Sequence, residues 1–258
     1  DPELFQSQGI VDDVVEDVAC CLEVPRTSLN IIASQKGLVA GPLQWIMKTS
    51  DLNNIGETQV VVDCSNKVET IPSIIDSIIA QKTNAIAILV VEKESIFQRI
   101  IQSSIIREAI VITAKGVPDY ATRLFVKLLE DSFDLPIVGL FDADPYGAFI
   151  FFVYRFGSRS SAYDGMNMAI SSMKWLGIRP SELKYLDLPR KCFKELDEHD
   201  HKLINKLLNE KYLPECYKIE LNIMKDLNLK CEIEALTSDA NKLIDLYLPT
   251  KFGKQDWI

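Results

Sequence analysis

An α/β fold built on a mostly parallel sheet is predicted by three features of this 258-residue chain. From Thr58 onward, short apolar runs alternate with amphipathic stretches, the order expected when helices cover both faces of a parallel sheet. Two of those runs, Ala85-Ile86-Ala87-Ile88-Leu89-Val90-Val91 and Leu135-Pro136-Ile137-Val138-Gly139-Leu140-Phe141, are apolar without alternation and so read as strands buried on both faces. Each ends abruptly in acids, Glu92-Lys93-Glu94 and Asp142-Ala143-Asp144. Open α/β sheets place their ligands at the carboxyl ends of such strands.

Taken in order, apolar positions at helical spacing (Ile10, Val11, Val14, Val15, Val18, Ala19, Leu22) predict a helix over residues 10–23. Val24-Pro25-Arg26-Thr27 breaks it, Leu29–Ala33 reads as a strand, and Lys36-Gly37 as a turn before Leu38-Val39. These residues alone support a small α/β unit. The polar stretch 49–54 reads as a linker. Strands are then predicted at Val60–Val62, Ile86–Val91, Ile110–Thr113 and Pro136–Phe141, with helices at Pro72–Gln81, Ser95–Gln102 and Asp119–Leu129. After Gly147 come the apolar stretch Ala148–Tyr154, a loop over residues 157–161, and Trp175-Leu176-Gly177. The end is expected to be helical over Leu203–Leu208, Ile219–Leu227 and Ile233–Leu248. No internal repeat or low-complexity tract is present.

Composition narrows the class. Hydrophobic content of 47% and charge of 25% are ordinary for a globular protein. No apolar run reaches the length of a membrane span and no signal-peptide pattern opens the chain, so no membrane partner is expected. The six cysteines lack any Cys-x-x-Cys spacing, and Cys20-Cys21 sit in a helical pattern, which predicts free thiols in a reducing compartment, cytosol or nucleus. The net charge of −9 argues against indiscriminate nucleic-acid binding. Its distribution is uneven, however: residues 151–258 carry 17 basic and 16 acidic residues, whereas residues 56–150 carry 8 and 13. Any DNA contact must rest on a local groove and weaken steeply with salt.

Asp142 and Asp144, two apart on an extended strand end, repel each other unless a cation lies beside them. Hard oxygen donors of this kind suit Mg²⁺, which takes few protein ligands and keeps several waters. Glu92 stands at the end of another strand and completes a candidate set of three carboxylates if the two strands are neighbours. Glu94 reads instead as an acid in the first turn of a helix. Lys36, Lys115 and Arg123 are candidate DNA contacts, with the glycines after the two lysines letting backbone approach phosphate. Solvated turn lysines, and an i,i+4 pair between Asp119 and Arg123, account for them equally simply. The loop Gly157-Ser158-Arg159-Ser160 could cradle a phosphate or cap a helix. His199 and His201 flank Asp200, a candidate N-cap, and do not share a helix face; neither a Ser-His nor a Cys-His pair is evident. Glu232 and Glu234, in the predicted last helix, point to different faces and read as structural or interface residues.

Several stretches together resemble one family. They are Leu29-Asn30-Ile31-Ile32-Ala33-Ser34-Gln35-Lys36-Gly37-Leu38-Val39, Val90-Val91-Glu92-Lys93-Glu94 and Lys115-Gly116-Val117-Pro118-Asp119 with Thr122-Arg123. Asp142-Ala143-Asp144-Pro145-Tyr146-Gly147, Tyr154-Arg155-Phe156-Gly157-Ser158, Lys174-Trp175-Leu176-Gly177-Ile178 and Lys230-Cys231-Glu232-Ile233-Glu234-Ala235-Leu236 continue the pattern. In this order and spacing the chain resembles the A subunit of topoisomerase VI and its eukaryotic relative, the meiotic double-strand-break transesterase, most closely the meiotic branch. The resemblance implies the back part of a winged-helix (CAP-like) domain over residues 1–55. Residues 56–258 would then form a Toprim domain, a Rossmann-like mostly parallel sheet, with a helical C-terminal extension.

It further implies Mg²⁺ held by Glu92, Asp142 and Asp144, double-stranded DNA as substrate, and a homodimer in the nucleus. The other implied partners are meiotic accessory proteins and a topoisomerase VI B-like subunit of the GHKL ATPase type. The family's nucleophile is a tyrosine in an Arg-x-x-Tyr-Tyr-like motif just before a segment like Asp1-Pro2-Glu3-Leu4-Phe5. None of the eight tyrosines sits in such a motif, so the chain is expected to be a fragment without its catalytic tyrosine. The rival expectations are the archaeal-type A subunit of topoisomerase VI, a Toprim nuclease using metal-bound water, and a non-catalytic assembly module.

Overall fold

The computed structural model describes residues 7–24, 26–29, 31, 35–50, 57–75, 77–157, 168–237 and 241–258. The first half contains α1 (Gln8–Leu22), β1 (Leu38–Ala40), β2 (Leu43–Ser50), β3 (Glu57–Asp63), β4 (Glu69–Thr70), β5 (Ile78–Thr83), β6 (Ala87–Val91), α2 (Glu94–Ile101), β7 (Ala109–Thr113) and α3 (Tyr120–Ser132). Then follow β8 (Ile137–Leu140), α4 (Pro145–Phe156), β9 (Lys174–Gly177), β10 (Phe193–Glu195), α5 (Glu198–Leu208), α6 (Glu215–Leu227), β11 (Leu229–Cys231) and α7 (Leu248–Lys254).

The main sheet has the order β4-β1-β7-β6-β8-β9. Its centre is parallel, with β6 pairing β7 and β8, and β8 pairing β9. β1 and β4 extend it antiparallel. The chain is therefore α/β with a mostly parallel main sheet, as the two continuous apolar runs predict. Both faces of that sheet are buried. Ile88, Val90, Ile110 and Ile112 join one core with α3 and α4, while Leu89, Val91, Val111 and Leu140 join a second with α2 and α7. The period of two along a strand sends alternate residues to opposite cores, which is why these strands need apolar residues at every position.

The expected helix Pro72–Gln81 is absent. Ile74, Ile75, Ile78 and Ile79 mimic a helical stripe, but Ile78–Thr83 is strand β5, antiparallel to β2 in a second sheet ordered β3-β2-β5. β-Branched side chains suit a pleated surface, and the free edge of β2 supplies the pairing. The strand expected at Val60–Val62 lies in this antiparallel sheet too. Of residues 49–54, read as a linker, Thr49 and Ser50 belong to β2 and 51–54 lie outside the described residues; β2 pairs with β3 in a register that runs from Gln44↔Asp63 to Ser50↔Glu57. Nor does the small sheet form a separate unit: Leu43, Trp45 and Ile78 belong to the α3 side of the main core, with Trp45 edge-on to Phe125 at 5.4 Å. The pairing of β2 with β3 thus joins residues on either side of 55, and β1, from the region expected to be winged-helix, lies within the main sheet.

Of the expected strand Leu29–Ala33, Leu29 closes a 3₁₀ turn (Arg26–Leu29), and Asn30 and 32–33 lie outside the described residues. The phosphate-cradle candidate over residues 158–160 lies outside them as well. The continuous helix expected at Ile233–Leu248 is replaced by a 3₁₀ segment (Ile233–Thr237), a π turn (Leu243–Tyr247) and α7, which begins with Pro249 in its first turn. Its apolar spacing is real, since Ile233, Leu236, Leu243 and Leu248 are all buried. Asp200 is not the N-cap of α5 either. Asp197 accepts from His199 and Asp200 N–H, and the Asp200 carboxylate returns to the Asp197 N–H, a capping box.

Beneath α4, Phe151 stacks on Trp175 at 5.4 Å and meets Tyr217 edge-on at 5.2 Å, with no exposed surface. Phe151→Ala is expected to cost about 3–5 kcal/mol, read as a lower urea midpoint at unchanged m-value.

Candidate metal centre

The register of β6 and β8 places the carboxylates. Val91 pairs with Leu140, and Glu92 N–H continues the ladder to Leu140 O at 3.1 Å. Glu92 O in turn accepts from Gly116 N–H at 2.9 Å. Lys115 and Gly116 both adopt positive φ (57° and 99°), so the turn after β7 folds back over Glu92. Glu92 Oε2 then accepts the Asp142 N–H at 2.8 Å across the two strand ends. Glu92 is 7% exposed and Asp142 3%.

Asp144 is half-buried and serves as the N-cap of α4. Its Oδ1 accepts from Gly147 N–H at 2.6 Å, and Pro145 takes the first turn, where no N–H is needed. Gly147 is obligatory by space. A Cβ there would meet the Asp142 carbonyl oxygen and lie 3.0 Å from its nitrogen. Asp142 holds two partners: Oδ1 accepts from Ile233 N–H at 2.9 Å and Oδ2 pairs with Lys93 Nζ at 2.8 Å.

Electrostatics show the tension in this arrangement. Burial, then the charge of Asp142, raises the Glu92 pKa well above the carboxylate range. Burial likewise raises Asp142 and Asp144, against the lowering effects of Lys93 on the first and the Gly147 N–H on the second. Burial alone would lower Lys93, but its bonds to Asp142 and Glu234 outweigh it and the net shift is upward. Charged carboxylates here lack a full complement of positive charge, which is the condition a divalent cation relieves.

The three predicted acids are brought to one end of adjacent strands. They are not gathered as a finished cage, however: among the described residues no group of three or more His, Cys, Asp or Glu is arranged to hold a metal ion. Protein donors occupy part of each carboxylate instead. The donor chemistry, hard oxygens only, still fits Mg²⁺.

The predicted DNA contacts fare differently. Lys36 is half-buried and donates to Val117 O at 2.9 Å, which docks it on the Lys115-Gly116 turn beside Glu92. Lys115 is partly exposed and pairs with Glu94 Oε1 at 3.1 Å. Arg123 is a correction. It is 4% exposed, its pKa lowered by burial, with Tyr154, Tyr120, Glu16 and Asp119 as its electrostatic neighbours, so it presents no guanidinium to a phosphate.

Glu232 and Glu234 are a second correction. The chain is extended up to Glu232, with Ala143 and Cys231 exchanging backbone hydrogen bonds, so these residues do not diverge as on a helix. Both reach Lys93 Nζ, at 3.5 Å and 2.6 Å. Lys93 and Lys230, the latter paired with Asp200 near Asp144, are the functional-region residues that sequence reasoning passed over. Both stand within the motifs that carry the family resemblance, but only the fold shows that they converge.

Comparison with known proteins identifies the family. Residues 87–252 match the family model for the Toprim domain of the topoisomerase 6 A subunit and Spo11, and residues 1–31 match the model described as "Type IIB DNA topoisomerase". Meiotic recombination protein SPO11 of Mus musculus is 36% identical over 264 residues, covering 100% of this chain and 65% of that protein. The Homo sapiens protein of the same name is 36% identical over 265 residues with the same coverage. The A subunit of DNA topoisomerase 6 from Arabidopsis thaliana is 37% identical over 266 residues, covering 100% of this chain and 60% of that protein. The chain spans slightly less than two thirds of the length of these relatives.

Acids whose folded pKa is raised bind protons more tightly folded than unfolded, so raising the pH above the ordinary carboxylate range favours unfolding. The melting temperature in chelator is expected to fall between about pH 5 and about pH 8. Glu92→Gln, which keeps an acceptor for the Asp142 N–H, should flatten that fall and melt higher than wild type at the alkaline end. Gly147→Ala should displace the Asp142–Asp144 turn and cost about 1–3 kcal/mol in chemical unfolding.

Proposed function

The chain belongs to the family of Spo11 and the topoisomerase 6 A subunit, and from that premise we propose that it is the Mg²⁺- and DNA-binding part of a protein that makes meiotic double-strand breaks by tyrosyl transesterification. The observation that carries this reading is the pair of strand ends β6 and β8, which join Glu92 to Asp142 by a direct hydrogen bond and set Asp144 two residues further on. Glu92, Asp142 and Asp144 would hold the ion. Bound there, Mg²⁺ would supply positive charge to the attacked phosphate or to its neighbour.

This chain's own residues do the rest of the positioning. The Glu92–Asp142 bond and the Asp144 cap hold the carboxylates on rigid elements. Lys115, on the turn folded over Glu92, presents a partly exposed ammonium for DNA backbone, and Lys36 braces that turn. In this reading a tyrosine hydroxyl attacks a DNA phosphate, the bond to the 3′ oxygen breaks, and the protein stays joined to the 5′ end. Among the described tyrosines, Tyr154 and Tyr217 are buried, and the Tyr247 hydroxyl donates to Glu182. A second copy of the protein would bring the tyrosine to this site. Meiotic accessory proteins and a topoisomerase VI B-like subunit would complete the assembly in the nucleus.

Identities of 36% to SPO11 and 37% to a topoisomerase 6 A subunit do not separate the two branches. Membership in a topoisomerase VI, as its A subunit, therefore stands as the alternative, and relaxation or decatenation of DNA with a B subunit would favour it. A protein carrying the family's tyrosine segment ahead of this chain should form covalent complexes blocked at DNA 5′ ends. Asp144→Ala should lower their yield by about 10²-fold or more. Cleavage leaving unblocked ends would show a nuclease instead, and an absence of both metal binding and covalent product would sink the proposal. Binding of DNA by this chain should weaken steeply between about 50 and 200 mM salt.

A further inference from the structure

The metal reading explains three acids but not Lys93, Glu232 and Glu234. Lys93 Nζ sits among them, 2.8 Å from Asp142 Oδ2, 2.6 Å from Glu234 Oε2 and 3.5 Å from Glu232 Oε2. Of the two partners of Asp142, only this one can leave. The Ile233 N–H is fixed, because Cys231, two residues before it, exchanges hydrogen bonds of 2.9 Å and 3.1 Å with Ala143. The lysine is a point charge on a flexible four-carbon stem with alternative acceptors within reach. Those acceptors are more solvated than the carboxylate it would vacate. The Glu234 and Glu232 side chains are 39% and 47% exposed, against 5% for Asp142. Glu234 is itself braced by Ser95 Oγ at 3.2 Å, and Glu232 is shared with Lys194.

We propose that Lys93 is a positioning residue of the carboxylate site, a tethered counter-cation that holds Asp142 when no divalent ion is bound and is drawn onto Glu234 and Glu232 when one is. The inference rests on the reading of Glu92, Asp142 and Asp144 as the metal-holding residues. On this account ion entry at Asp142 is an exchange of one cation for another, and the affinity of the site is set by how strongly the two outer glutamates compete for the lysine. The exchange gives Asp142 a counter-charge in the metal-free protein, and it lowers metal affinity below what three bare carboxylates would give. A purely structural lysine, tying the start of α2 to residues 232–234, would make the opposite prediction, since its loss would loosen the site.

The test is titration of the full 258-residue chain with Mg²⁺ and Mn²⁺ alone, by calorimetry and by Mn²⁺ paramagnetic resonance. Lys93→Met, which keeps the stem and removes the charge, is expected to bind about tenfold more tightly than wild type. Lys93→Arg, which keeps the charge, should bind no more tightly than wild type. Glu234→Gln should weaken binding severalfold, and that weakening should vanish in the Lys93→Met background. As a second measurement, the rise in melting temperature at saturating Mn²⁺ should be larger in Lys93→Met than in wild type, even though its metal-free form melts lower.

Equal or weaker ion binding by Lys93→Met overturns the inference, as does a Glu234→Gln effect that persists undiminished without the lysine. Should Lys93→Met fail to fold, unchanged binding by Glu234→Gln in the wild-type background overturns it. Failure of the underlying reading looks different: wild-type binding is then absent, or unaffected by Asp144→Asn.

Discussion

The hydrogen bond from the Asp142 N–H to the Glu92 carboxylate joins two strand ends whose side chains would otherwise repel each other. It exists because β6 and β8 are parallel neighbours in a register that puts Val91 beside Leu140. In that register one strand's first acid meets the other's backbone donor before it meets the other's charge. The same bond fixes the direction in which the chain leaves β8, and so the start of α4. Asp144 then caps that helix and Gly147 packs against the Asp142 carbonyl. A shift of one residue in either strand would turn its acid to the other face of the sheet, where apolar side chains pack.

What could be read from the sequence follows from how local each signal is. The central strands were legible because burial on both faces forces an uninterrupted apolar run, and the acids at their ends were legible because nothing else ends such runs so sharply. Asp119 as the cap of α3 and Asp144 as the last acid before a Pro-Tyr-Gly turn are equally local. The failures are questions of what each segment pairs with or packs against. Ile74 to Ile79 carry the spacing of a helix, and only the open edge of β2 makes a strand of them. Glu232 and Glu234 were assigned to different faces because the segment has helical apolar spacing, yet the bridge between Ala143 and Cys231 holds the chain extended as it enters Glu232. Arg123 sits on a helix with an ordinary amphipathic pattern, and only the packing of α3 shows that its side chain is covered.

The overall charge of −9 does not leave the strand ends without cations. Around the strand ends, Lys93, Lys115 and Lys230 each stand against an acid: Asp142 and Glu234, Glu94, and Asp200 respectively. The exposed pair Lys115–Glu94 contributes little to stability. Pairing leaves the three lysines oriented and partly neutralised, and the region does not carry a large field of one sign.

Buried carboxylates and mobile ammonium groups impose opposite requirements on a fold. The first need rigid backbone donors, because a desolvated charge without a fixed partner is costly; the second need slack, because their use lies in changing partner. The structure separates the two by position along the chain. Glu92, Asp142 and Asp144 are held by main-chain N–H groups of Asp142, Ile233 and Gly147, which belong to strand ends, a strand bridge and a helix start. Lys93 and Lys115 reach the region through long side chains that pair with more exposed glutamates, Lys93 with buried Asp142 as well. Metal-dependent chemistry on a polyanion requires that division of labour, since the ligands must wait in place while the counter-charges rearrange around each ion and each phosphate that arrives.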